Sequence, residues 1–157
     1  MRDSQQKKVY DAEAAAFARD PDLVWFGSVR AAQRAANEVT RSRLWKALDG
    51  PAFVLIKATR SDAKHSMALP WRNEILLDMK QPSYQILLHE LAHVALWNID
   101  KRAADHGPEF VLILRRLIED NMSVEQRIEF DKQLDARRAK YGLNGNTKVQ
   151  NKLCNTR

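Results

Sequence analysis

Three of the four histidines in this 157-residue chain lie between positions 89 and 106. Two of them belong to His89-Glu90-Leu91-Ala92-His93. On a helix, residues i and i+4 share a face, so His89 and His93 can reach one metal ion together. Glu90 follows the first of them and is placed to act on a water at that metal. A catalytic zinc ion takes three protein ligands and leaves a fourth position open. His106, which opens His106-Gly107-Pro108-Glu109-Phe110, is the better candidate for the third ligand, because imidazole is a good neutral donor and no histidine follows it. Glu109 and Glu119 are the alternatives, since a downstream glutamate on a second helix can fill the same role. The longer pattern HExxHxxGxxH is excluded, because Leu96 and Ile99 stand where it needs glycine and histidine.

The chemistry that follows is hydrolysis by activated water. A single Zn2+ held by three neutral histidines keeps its full charge, acidifies water and polarises a carbonyl. Glu90 is the expected general base. Peptide or amide bonds in a protein or peptide substrate are the best match. Tyr84, Tyr141 and His65 are candidates for stabilising the oxyanion, though each reads more readily as structural. His65 sits in the polar turn 61–66 and reads as a surface residue.

The run from Ile86 to Trp97 is apolar nearly all round, so the motif helix is expected to be central and buried. Histidines and a glutamate in such a helix are costly unless a metal or close partners satisfy them. Pro82-Ser83 opens this helix, which should run to about Asn98. A further helix starts at Pro108, where proline suits the first turn, with Phe110, Ile113, Leu114, Leu117 and Ile118 as its core face. Ser123 and Gln126 form a capping-box pattern for a last helix that fades near Tyr141.

Upstream, Ser4 can cap a first helix to about Arg19, stopped by Asp20-Pro21. Ser28 caps a second, whose apolar positions Val29, Ala32, Ala36, Val39, Leu44 and Leu48 recur at helical spacing up to Gly50-Pro51. Three short stretches then read as strands: residues 52–58, residues 66–69 and residues 73–78. Helices, then a small, mostly antiparallel sheet, then the HExxH helix make an α+β, zincin-like arrangement.

HELAH followed by HGPEF resembles the SprT and Spartan group of zinc metalloproteases. Read with the opening Arg2–Glu13, the same motifs are similar to a family of small metallohydrolases of actinobacteria and their phages, over residues 2 to about 120. The resemblance implies a zincin-like catalytic domain, with His89, His93 and His106 as ligands and Glu90 as general base. The SprT-like relatives act on DNA-bound proteins, which makes nucleic acid a second partner class.

Hydrophobic residues make up 45% of the chain, enough for one domain with a real core, here residues 1–142. From residue 143 to residue 157, Asn, Gly, Thr and Lys dominate, and a basic, disordered tail is expected. The net charge is +6, with cations spread over residues 30–64 and again over 137–157. Such a balance favours polyanions only weakly, so contact with nucleic acid is expected to be weak. Cys154 is the single cysteine, which excludes an internal disulfide and a four-cysteine zinc ribbon. No apolar run nears the ~20 residues that span a bilayer, and no signal sequence is visible. A cytoplasmic monomer without membrane attachment is expected. The alternative reading is a regulatory or nucleic-acid-associated zinc protein with little general protease activity.

Overall fold

The computed structural model describes residues 5–140 and 147–154. Its elements are α1 (Gln6–Phe17), α2 (Val29–Arg41), α3 (Arg43–Ala47), β1 (Leu55–Ala58), β2 (Met67–Leu69), a 3-10 turn (Pro70–Arg72), β3 (Glu74–Leu77), α4 (Tyr84–Ile99), α5 (Pro108–Asn121), α6 (Val124–Ala136) and α7 (Lys148–Cys154). The fold class is α+β, with seven helices and a three-stranded sheet among the described residues.

Helix α4 is the axis of the fold. Its N-cap Ser83 accepts from the Ile86 amide, and Leu87, Leu88, Leu91, Ala92, Val94 and Ala95 are fully buried. Packed against it is α5, through the Phe110, Ile113, Leu114 and Leu117 face expected from its spacing. Helix α6 begins with the expected capping box, in which Ser123 and Gln126 each satisfy the other's backbone amide. It packs along α1, where Phe17 and Phe130 meet at 5.7 Å between ring centres.

The sheet is mixed rather than mostly antiparallel. Its order is β1-β3-β2, with β1 parallel and β2 antiparallel to β3. The 3-10 turn and Asn73, at φ 52°, close β2 and β3 into a tight return. That return places β3 in the middle of the sheet, beside and parallel to β1. The other side of β1 is covered by a side chain: Gln33 of α2 donates to Val54 O and accepts from the Ile56 amide, at 2.9 and 2.8 Å. Ile75 and Leu77 face the core beneath α4, as strand alternation requires.

Two further expectations need correction. The single helix from Ser28 to Gly50 is two, because Ser42 is extended and its hydroxyl caps α3 by accepting from the Trp45 amide. Trp45 is then fully buried, donating to Pro51 O, and it fills the space where any side chain at position 50 would stand. A Cβ built on Gly50 would come within 2.2 Å of the Trp45 ring. The second correction concerns the tail: residues 148–154 are helical, with Val149 fully buried and Leu153 8% exposed. Two apolar residues four apart form a stripe just long enough to dock α7 on α5, α3 and α4. Ser4, Tyr141 and the remaining tail residues lie outside the described residues.

Candidate metal centre

Two successive turns of α4 present His89, Glu90 and His93, and the loop before α5 returns His106 to the same point. Gly107 caps α5 and Pro108 starts it, so His106 is fixed immediately before the helix. A side chain at position 107 would press on Ala104 at 3.1 Å, which explains the residue after His106. The ring nitrogens converge: His93 Nε2 and His106 Nε2 lie 3.2 and 3.3 Å from His89 Nε2. One ligand atom from each of the three lies within 4.8 Å of the others. Two nitrogens about 2.05 Å from a tetrahedral zinc ion stand roughly 3.3 Å apart, so two of the three spacings already match a coordination edge. The donor set and its geometry therefore fit a metal ion.

Phe110 supplies the floor. Its ring centre lies 4.4 Å from that of His93, 4.9 Å from His106 and 5.0 Å from His89, and the residue is fully buried. The aromatic residue that ends HGPEF thus packs against all three imidazoles. It restricts their rotamers and keeps water from their far sides.

Glu13 was not singled out as a site residue in the sequence, yet it enters the centre directly. Its Oε1 and Oε2 each lie 2.9 Å from His89 Nδ1, and Gln85 Nε2 donates to Oε1 at 2.6 Å. Both Glu13 and His89 are under 5% exposed. A carboxylate only accepts, so Nδ1 carries the proton and Nε2 is turned toward His93 and His106. Burial opposes a charge on His89, but Glu13, by charge and hydrogen bond, together with Glu90, outweighs it and pushes its pKa up. Burial, His89 and His106 push His93 down to about 2. The signal available in the sequence is its spacing: Glu13 stands one turn from both Val9 and Phe17, on the apolar face of α1.

Glu90 is 6% exposed, and its Oε2 accepts from the Ala68 amide of β2 at 2.7 Å. Burial raises its pKa, with His89 and the Ala68 amide opposing and Glu13 adding to the rise. A raised carboxyl pKa moves a base toward the working pH. Glu90, His93 and His106 line one cleft of about 570 Å³, together with Met67, Trp71, Leu96 and Trp97. A second hollow of about 1060 Å³, on the side of Glu13 and Gln85, includes exposed His65 and shares Gln6, Tyr10, Ser66, Met67 and Glu90 with the first. The groove thus passes Glu90 on both sides.

The other residues considered lie apart from this cluster. Glu119 pairs with Arg116 and with Arg127, and neither it nor Glu109 joins the three histidines. The Tyr84 hydroxyl donates to Asn121 Oδ1 at 3.2 Å, at the far end of α5, and Tyr84 lines neither hollow. Among the described residues, no helix is long and apolar enough to cross a membrane.

An α+β domain with HExxH on a buried central helix beside a small sheet has the zincin-like arrangement. Residues 63–133 match the model of the SprT-like family. The matched segment runs from the loop before β2 into α6, and so contains Glu90 and all three clustered histidines but not α1. No curated protein and no solved structure matches the chain.

Proposed function

We propose that this protein is a zinc-dependent metallohydrolase acting on peptide bonds. His89, His93 and His106 are its metal ligands, and Glu90 is its general base. The observation that carries this reading is the convergence of three imidazole nitrogens, 3.2 and 3.3 Å from one another at His89, beside a buried carboxylate in an open groove. A structural zinc site uses four protein ligands and needs no base.

When bound there, zinc supplies the Lewis acidity that activates water and polarises a carbonyl. The chain's own residues do the rest. Glu90 takes the proton of the attacking water and returns it to the leaving amine. His89 is held in the right tautomer by Glu13, and Phe110 keeps the imidazoles oriented. The groove is open at both sides of Glu90, which suits an extended polypeptide. Its wall of Met67, Pro70, Trp71, Leu96 and Trp97 can bury apolar side chains of that polypeptide.

Metal content and cleavage of a generic unfolded protein, compared for wild type and Glu90→Gln, test this reading. We expect about one zinc ion in each and cleavage by the wild type alone. Zinc in both, with no cleavage by either and tight binding of DNA, would replace it with the nucleic-acid-associated, regulatory reading.

A further inference from the structure

One helix from outside the SprT-like segment reaches the histidines at three points. At Glu13 the contact is the pair of 2.9 Å hydrogen bonds to His89 Nδ1. At Tyr10, one turn earlier on the same face, the ring stacks on His89 with centres 5.2 Å apart and 19° between planes, and it meets His106 at 5.1 Å. At Gln5, the N-cap of α1, the side-chain amide donates to the backbone carbonyl of His106 at 3.4 Å and to that of Lys140 at 3.1 Å. The packing of α1 does not need these groups, since Val9, Ala12 and Phe17 already bury its apolar face. A buried carboxylate costs stability unless its partners repay it, and here the partners are His89 and Gln85.

We propose that α1 is an integral part of the metal centre, with Glu13 the positioning residue for His89, so that metal affinity and the docking of α1 are coupled. The carboxylate holds the imidazole by Nδ1–H, orients the ring and makes Nε2 a better donor to a metal. Removing such an outer partner typically weakens metal binding by about 10–100-fold. Coupling is reciprocal, so a bound metal must tighten α1 by the same factor by which docked α1 tightens the metal. The inference rests on the metal reading of the three histidines and is independent of hydrolysis.

The test uses the full chain and Zn2+ in competition with a chromogenic chelator, for wild type, Glu13→Gln and Glu13→Ala. Glutamine keeps the shape and an oxygen that can accept from Nδ1–H, but it loses the charge. We expect affinity to fall by about 10-fold for glutamine and by up to about 100-fold for alanine. Amide exchange over residues 9–13 should slow on zinc loading in the wild type, and slow less in Glu13→Ala. A purely structural role would lower the melting temperature of chelated protein and leave zinc affinity alone. Should alanine prevent folding, the glutamine variant carries the comparison. Affinities within twofold of wild type in the folded variants overturn the proposal. A wild type that binds zinc but cleaves nothing defeats the hydrolase reading, while this one is still decided by the order of affinities. A wild type that binds no zinc overturns both.

Discussion

Glu90 Oε2 accepts a 2.7 Å hydrogen bond from the backbone amide of Ala68, which joins the central helix to the edge strand β2 at the cleft itself. That amide is spent on a side chain rather than on the β2–β3 ladder. The carboxylate is therefore aimed by the sheet as well as by its own helix. Substitutions at Glu90 should separate these two roles. Glu90→Gln retains an acceptor for Ala68 but cannot take a proton, so its melting temperature should stay near that of the wild type. Glu90→Leu leaves the Ala68 amide unpaired, at a cost of about 1–3 kcal/mol. Thermal unfolding of the two variants checks this, and equal stabilities would show that the hydrogen bond contributes nothing.

The third ligand can be tested by separating imidazole from carboxylate. His106→Ala should lower zinc affinity by a large factor, whereas Glu119→Ala should leave it unchanged, because Glu119 is held by Arg116 and Arg127. Titration against a chelator measures both. Retained affinity in His106→Ala with loss in Glu109→Ala or Glu119→Ala would move the third ligand to a carboxylate.

Phe110 should matter for both stability and metal. It is fully buried and touches three imidazoles, so Phe110→Ala should cost about 3–5 kcal/mol and loosen the site. Phe110→Leu, which refills most of the volume, should recover most of the stability. Denaturant unfolding together with zinc affinity reads the two effects separately. A variant that loses stability but binds zinc like the wild type would limit Phe110 to the core.

The central helix, its two histidines, the return of His106 and the strands before them were readable because each rests on local spacing or on residues close in sequence. What escaped depends on contacts between distant segments. Glu13 meets His89 across 76 positions, and its place on the apolar face of α1 does not by itself name that partner. Gln33 covers β1 only because α2 folds back on it. Helix α7 escaped because a stripe of two residues, Val149 and Leu153, is too short to stand out among Asn, Lys and Gln. Its cations stay at the surface but meet acids of the domain there, Lys148 with Asp100 and Lys152 with Asp49.

Tyr84 should contribute to the loss of stability at alkaline pH. Burial, helped by Glu38 and Asp120, pushes its pKa from 10.0 up to about 12. A group raised on folding stabilises the native state fully below its unfolded pKa, and that contribution is lost as pH climbs from 10 through 12. Tyr84→Phe should cost about 1 kcal/mol near neutrality, for the lost hydrogen bond to Asn121. It should also lose less stability than the wild type between pH 10 and 12. Unfolding by urea at several pH values checks the slope, and parallel curves would remove Tyr84 as its source.

Helix α7 makes the C-terminal residues part of the domain's stability. Leu153 is 8% exposed, and truncating it leaves a gap against the core. Leu153→Ala should cost about 2 kcal/mol, at the low end for such a change because the helix is terminal and can adjust. In a chain of this size that lowers the melting temperature by roughly 4–8 °C. Deleting residues 147–157 should lower it as well, while zinc affinity stays near that of the full chain, since none of the clustered histidines or Glu13 lies in α7. Calorimetry and chelator competition on the same samples make the comparison. A deletion that leaves the melting temperature unchanged would return these residues to the role of a solvated tail.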